Sequence, residues 1–324
     1  MKTSIWKRLK RPFFVLAPME DVTDTVFRRI VARCGRPDLF FTEFVSTDGL
    51  CSEGFERVKR NLEFTDEERP IIAQIWGGKP ENFFRSAKML TDMKFDGIDI
   101  NMGCPVRKIV SRGSCSALIR NPSLAAEIIQ ATKEGAGNLP VSVKTRIGFN
   151  EIQTQEWIGF LLSQNVAAMT IHGRTVKEMS KVPCHWDEIG KAVVLREKLK
   201  KDTLIVGNGD ILSREEGLKM CEEYKTDGIM IGRGIFQNLW SFNGTDPSPV
   251  PYQTKLQLLI DHISLFRETW GDKKPFDIMK KYYKIYINGT HNANNFRAEL
   301  MELKSPEETI EWIQKEFPLP PFKL

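Results

Sequence analysis

Gly97-Ile98-Asp99-Ile100-Asn101-Met102-Gly103-Cys104-Pro105 is the stretch on which the fold turns. Residues 97–100 read as a strand of a parallel sheet, a short apolar run stopped abruptly by turn residues. An amide, a thiol and a proline-fixed turn then sit at its C-terminal end. In a parallel α/β barrel that end of a strand is where chemistry is done.

Seven further β-rich apolar runs share this form: 13–19, 39–45, 71–76, 141–147, 167–172, 204–208 and 228–231. Amphipathic stretches separate them at 25–34, 80–93, 122–134, 152–163, 187–198 and 214–222. Strand–helix alternation repeated eight times predicts an α/β fold, a (β/α)8 TIM barrel. A doubly wound open sheet is the alternative; it commonly has fewer strands, and no GxGxxG follows the first run. The turn-rich run 243–251 reads as a linker. Beyond it, Leu256, Leu259, Ile260, Ile263 and Phe266 recur at helical spacing, as do Met279, Tyr282, Tyr283 and Tyr286, and Ile310, Ile313 and Phe317. The expected organisation is a barrel domain over 1–243 and a small all-helical domain over 244–324.

The 324 residues are 41% hydrophobic and 27% charged, with a net charge of +5, an ordinary soluble composition with a mild basic bias. The six cysteines show neither a CxxC pair nor metal-ligand spacing, so reduced thiols and no metal are expected. No apolar run is long enough to span a bilayer, and the apolar stretch after the basic start is too short for a secretory signal. A cytoplasmic monomer is the expectation.

Several strand ends carry polar groups. Ala17-Pro18-Met19-Glu20 would let backbone lie close to a flat ring. Gln74 stands inside an apolar run and needs a partner once buried, either backbone or the imide edge of a flavin or pyrimidine. Lys144 sits mid-strand, where a lysine without an anion is costly; it would stabilise an anionic reduced flavin. Arg146 lies further toward the rim, within reach of a substrate. His172-Gly173-Arg174-Thr175 ends the sixth run. Asn208-Gly209-Asp210 and Gly232-Arg233-Gly234 end the last two, the usual place for phosphate in a barrel. Cys104 has an ordinary pKa of about 8.5 and would be mostly thiol near neutrality, which suits a proton donor unless a cation lowers it. The other five cysteines read as ordinary buried thiols.

Taken in order, Ala17-Pro18-Met19, Gln74, Asn101-Met102-Gly103-Cys104-Pro105, Lys144-Thr145-Arg146, His172-Gly173-Arg174-Thr175, Asn208-Gly209-Asp210 and Gly232-Arg233 resemble the motif series of the tRNA-dihydrouridine synthases, bacterial type. The likeness runs from about Phe14 to Ser305 and includes Met279-Lys280-Lys281, Tyr286, Asn288-Gly289 and Arg297. It implies a flavin-bound barrel that reduces the C5=C6 bond of uridine in tRNA, with NADPH as electron source. Carried over by position, Cys104 would protonate C5. Pro18, Met19, Glu20, Gln74, Lys144, His172, Asn208, Gly209, Asp210, Gly232 and Arg233 would hold FMN. Asn101, Arg146, Arg174, Lys280, Lys281 and Arg297 would bind substrate. Two positions depart from the pattern. Cys115 stands where many members have glycine, and Val176-Lys177 where many have a basic residue directly after the HGRT-like motif.

The tail from 246 on carries eleven basic and eleven acidic residues, so the lysines at 273, 274, 280, 281 and 284 form a patch rather than a basic domain. With Tyr282, Tyr283 and Tyr286 they would grip an RNA backbone or simply form a solvated face above a core. Other readings stay open: an FMN barrel acting on a free pyrimidine or on ribosomal RNA, a flavin-free barrel lyase or isomerase with a phosphate pocket, and an RNA-binding protein without chemistry.

Overall fold

A computed structural model of the chain describes residues 4–244, 250–289 and 291–317. The apolar runs become parallel strands: β1 (Phe13–Leu16), β2 (Phe40–Phe41), β3 (Val45–Ser46), β4 (Ile71–Trp76), β5 (Gly97–Met102), β6 (Val141–Arg146), β7 (Ala168–His172), β8 (Leu204–Asn208) and β9 (Gly228–Ile231). Their order is β1-β9-β8-β7-β6-β5-β4-β2, with β3 also on β4. A parallel bridge from Val15 to Leu39 brings the two ends of this series together, so the ring is nearly closed. Helices stand between strands as the periodicity predicts, among them Pro80–Asp92, Pro122–Ala136, Trp186–Lys198 and Arg214–Tyr224. This is the (β/α)8 architecture.

The run 39–45 is one strand by composition, yet it forms two short segments. Thr42 is the reason. Its amide donates to the Ile72 carbonyl, but its hydroxyl oxygen accepts the Gln74 amide at 3.2 Å. A side chain thus takes the place of a ladder carbonyl, and the backbone bulges between β2 and β3. The stretch 152–163 likewise starts in π geometry (Thr154–Ile158) before its α turn Gly159–Ser163.

One hydrophobic cluster joins Ile5 and Trp6 to Phe13, Val15, Phe41, Ile72, Ala168, Leu204, Val206 and Met230. Trp6 is only 2% exposed and packs against Phe13 and Phe41 with ring centroids 5.9 and 6.4 Å away. Trp6→Ala would leave a large cavity there. We expect it to cost about 3–5 kcal/mol, read as a lower urea midpoint with unchanged slope.

The chain divides into two compact units, Met1–Thr25 with Pro37–Gly234, and Val26–Arg36 with Ile235–Leu324. The order of apolar runs along the chain places 26–36 with the barrel and starts the helical domain at 244. Aromatic packing explains the different partition. Phe27 stacks on Tyr282 at 5.0 Å and on Phe236 at 6.2 Å, so the segment shares the core of the helical unit. That core is carried by the 19-residue helix Tyr252–Trp270, with Ala293–Glu302 and Pro306–Glu316 after it. Of the expected linker, 245–249 lie outside the described residues. Among the described residues no helix is long and apolar enough to cross a membrane.

Candidate active site

Register sets the site. Gln74 lies beside Asp99, Asp99 beside Ser142, Asn101 beside Lys144, Arg146 beside His172, and His172 beside Asn208. Because strand side chains alternate with period two, Asp99 and Asn101 share one face of β5, as Ser142, Lys144 and Arg146 share one face of β6. Polar side chains from successive strands therefore meet.

Their lower tier is a chain of hydrogen bonds running from Ser142 through Asp99 and Gln74 to Asn101. Gln74 Nε2 donates to Asp99 Oδ2 (2.7 Å), Ser142 Oγ to Asp99 Oδ1 (2.6 Å), and Asn101 Nδ2 to Gln74 Oε1 (3.0 Å). Burial pushes the wholly enclosed Asp99 carboxyl up to about 6, against the two hydrogen bonds and nearby Lys144. By composition Asp99 is only one polar member of an apolar run. The available signal was an acid two residues before Asn101, hence on the same face.

Above this tier lies the Cys104 turn. Asn101 Oδ1 accepts the Gly103 and Cys104 amides at 3.1 and 3.0 Å, an Asx arrangement that shapes the turn. Arg146 Nε donates to the Gly103 carbonyl at 2.8 Å, and its Nη1 to the carbonyls of Thr175 (3.1 Å) and Met179 (2.9 Å). Arg146 is thus a buried strut between the turn after β5 and the loop after β7. Burial and the neighbouring Arg174 lower its pKa to about 10.

Cys104 is half-buried, and a hydrogen bond from the Cys115 thiol leads the causes that lower its pKa to about 7, against burial and Glu20. The Val106 amide and Arg146 act in the same sense as Cys115. Cys115 is wholly buried, and that burial together with the bond to Cys104 raises its own pKa well above the usual thiol range. Cys115 adopts φ +54°, the left-handed region where glycine is at ease.

Lys144 Nζ donates to Asn208 Oδ1 at 3.1 Å, while Asn208 Nδ2 donates to the Met230 carbonyl at 2.8 Å. Burial, helped by Arg146, lowers Lys144 to about 8, though Asp99 and Cys104 oppose it. His172 Nε2 lies 3.1 Å from Arg174 Nη1. Arginine only donates, so Nε2 accepts and Nδ1 carries the proton. Burial and the surrounding cations hold this imidazole neutral, well below its ordinary range. Arg174 is itself buried, pairs with Asp210, and donates from Nε to the Val182 carbonyl at 2.7 Å. Asp210 also accepts the Cys184 amide at 3.0 Å. Gly209 has φ +134°, and a Cβ there would come within 2.5 Å of Cys184 Sγ. The loops after β7 and β8 are thereby latched together.

The remaining expected residues divide by place. Pro18 is buried, Met19 packs on the hydrophobic cluster, and the Glu20 charge is felt at both Cys104 and Cys115. At the end of β9, Gly232 has space, a Cβ there meeting only Ala17 at 3.6 Å, and the Arg233 charge is felt at Arg146, His172 and Asp210. Val176 is buried with its amide on the Gly148 carbonyl, and Lys177 is exposed. In the helical unit Lys280 pairs with Asp277 at 2.7 Å, and Arg297 donates to the Ile287 carbonyl at 2.6 Å and to Asn294. Lys281 is exposed beside the Tyr282 ring. Tyr282, Tyr283 and Tyr286 are buried core residues, so these rings are not available to stack on a nucleotide. Their apolar bodies pack under the lysine face, and Tyr286 Oη sits 2.8 Å from His262 Nδ1.

The family profile described as dihydrouridine synthase matches residues 15–319. A probable tRNA-dihydrouridine synthase of Staphylococcus aureus (strain COL) is 47% identical over 308 residues, covering 94% of this chain and 93% of that protein. Probable tRNA-dihydrouridine synthase 2 of Bacillus subtilis (strain 168) is 46% identical over 311 residues, covering 95% of each. Among solved structures, morphinone reductase superposes with a TM-score of 0.51 at 11% identity, over 73% of this chain and 86% of that one. At that identity the likeness speaks for the fold alone.

Proposed function

The chain belongs to the dihydrouridine synthase family, and from that membership we propose that it reduces the C5=C6 bond of uridines in tRNA to dihydrouridine, with FMN in the barrel mouth and NADPH as electron donor. The observation that carries this reading is a half-buried thiol at the end of β5, in the same electrostatic neighbourhood as Lys144 and Arg146.

The residues present fit an anionic flavin. Lys144, Arg146, Arg174 and Arg233 each help to depress His172, and Arg174 and Arg233 depress Arg146. A cluster of cations that repel one another is relieved by a bound anion. Gly232 and Arg233 offer open backbone and charge for a phosphate, where barrels commonly hold one. Lys144 and neutral His172 would meet the polar edge of the ring, flanked by Pro18, Met19 and Glu20. Gln74, Asn208, Gly209 and Asp210 would act mostly by fixing those groups. When bound, the flavin supplies hydride to C6 of uracil.

The protein residues do the rest. A stacked uracil must leave its helix to be reached, so the mouth has to accept an extruded base. Cys104, held by Asn101 and Arg146, would deliver its proton to C5. Exposed Lys177 and Lys281, with Lys280, would contact phosphates, giving salt-sensitive binding. Arg174 and Arg297, engaged with neighbouring groups, would shape the substrate surfaces.

The test is reduction of RNA from cells lacking this protein, with NADPH, followed by mapping of dihydrouridine. Dihydrouridine in tRNA is the expected product. Turnover of free uridine, or of ribosomal RNA only, would overturn the assigned substrate; a colourless protein that takes up no FMN would overturn the chemistry. Since the thiol is the donating form, transfer to RNA should be level on the acid side and fall tenfold per pH unit above about 7. Single-turnover rates across that range check it.

A further inference from the structure

We propose that Asp99 is a positioning residue for Cys104, the terminal acceptor of a one-way hydrogen-bond relay that fixes which way the Gln74 and Asn101 amides face. The proposal rests on the reading of Cys104 as the proton donor. The relay runs between two fixed ends. At one end the Gly103 and Cys104 amides reach a single atom of Asn101, at 3.1 and 3.0 Å. Backbone amides only donate, so that atom is the oxygen, Oδ1. The Asn101 nitrogen is left facing Gln74 at 3.0 Å, and it too only donates, so the Gln74 atom there is Oε1. The Gln74 nitrogen then meets a carboxyl oxygen of Asp99 at 2.7 Å. Every proton in the series points toward Asp99.

Two features give the carboxylate this task rather than packing alone. Ser142 Oγ donates to its other oxygen at 2.6 Å, so Asp99 accepts on both sides. An ionised carboxylate has no donor to offer, and Gln74 can present only its nitrogen to it. An enclosed acid is also costly: Asp99 is 0% exposed, and burial raises its pKa to about 6. Reversing the two amides would set Gln74 Oε1 against a carboxyl oxygen and Asn101 Nδ2 against two N–H groups, losing both bonds of the turn. Gln74 and Asn101 are as deeply buried as Asp99, so water does not repair a reversed amide.

A neutral amide at position 99 fits the same space but has two faces. With its oxygen on Gln74 and its nitrogen on the Ser142 hydroxyl, which accepts as well as donates, the relay keeps its sense. With its nitrogen on Gln74 the relay reverses. Ser142 therefore decides the orientation once the charge is gone, and is dispensable for it while the charge is present. The orientation matters to the reaction because displacing a reacting group by about 1 Å can cost about a hundredfold in rate.

The experiment measures hydrogen exchange of the Gly103 and Cys104 amides, residue by residue by mass spectrometry, in the full chain as wild type, Ser142→Ala, Asp99→Asn and the double variant. Ser142→Ala and Asp99→Asn should each leave the two amides protected. The double variant should exchange both about tenfold faster, with the rest of β5 and β6 unchanged, a non-additive loss that packing at position 99 does not produce. Its transfer to RNA should fall by about a hundredfold while reduction of the flavin by NADPH is unaltered. Additive effects, or protected amides in the double variant, would overturn the relay. Loss of protection all along β5 and β6 would make Asp99 a structural residue and overturn its positioning role. Wild-type transfer by a double variant whose two amides have opened would overturn the link from the turn to the reaction. The amide measurement needs neither flavin nor RNA, so it decides the relay even if the wild type transfers nothing to uridine, a result that would overturn the function proposed above.

Discussion

Alanine in place of Cys104 is expected to leave flavin content and folding intact while slowing transfer to RNA by about 10²–10⁴-fold, the usual contribution of a positioned general acid. The side chain removed is one small, half-buried thiol, so little packing is lost. The turn itself persists, because Asn101 Oδ1 holds the Gly103 and Cys104 amides rather than the sulfur. Reduction of the flavin by NADPH should proceed at the wild-type rate, since no proton to C5 is involved. Rapid-mixing kinetics separate the two halves. Wild-type transfer to RNA by Cys104→Ala would remove the thiol from the mechanism, and a fall in both halves would make the effect structural.

Arg146→Met should destabilise the protein by about 2–4 kcal/mol. The substitution leaves the carbonyls of Gly103, Thr175 and Met179 without their donor, each worth about 1–3 kcal/mol when buried and unmet. Relief of a guanidinium that burial already disfavours offsets part of that sum. With the strut gone, the Cys104 turn and the loop after β7 lose their tie, and Cys104 also loses a cation that stabilises its thiolate. Urea unfolding and the pH dependence of Cys104 alkylation both read this without RNA. If stability and alkylation stay put while only the KM for RNA rises, Arg146 is a substrate contact and not a strut.

That contrast shows where sequence reading reaches its limit. Arg146, Asn101 and Arg174 are visible in the chain as polar groups at strand ends, and the natural reading is that each faces a ligand. In the structure each is first a partner to the protein: Asn101 to the turn it precedes, Arg146 to three carbonyls, Arg174 to Asp210, His172 and Val182. A buried polar side chain must satisfy itself, and with what is a matter of three-dimensional neighbours. The lysine–tyrosine stretch 280–286 makes the same point. Helical spacing reveals one apolar face, and only packing shows that all three tyrosines lie on it.

The barrel and the polar groups at its strand ends are readable along the chain, because alternating apolar runs and amphipathic stretches encode local geometry and burial. Cys104, Lys144 and His172 are legible as polar residues at or near strand ends for that reason. Relations between segments come only with the fold: Asp99 tied to Gln74 and Ser142, Thr42 splitting the second strand, and 26–36 joining the helical unit. Those depend on register, on a side chain replacing a backbone acceptor, and on aromatic packing. Periodicity along the chain carries no information about such contacts, since each is set by which segments pack together in space.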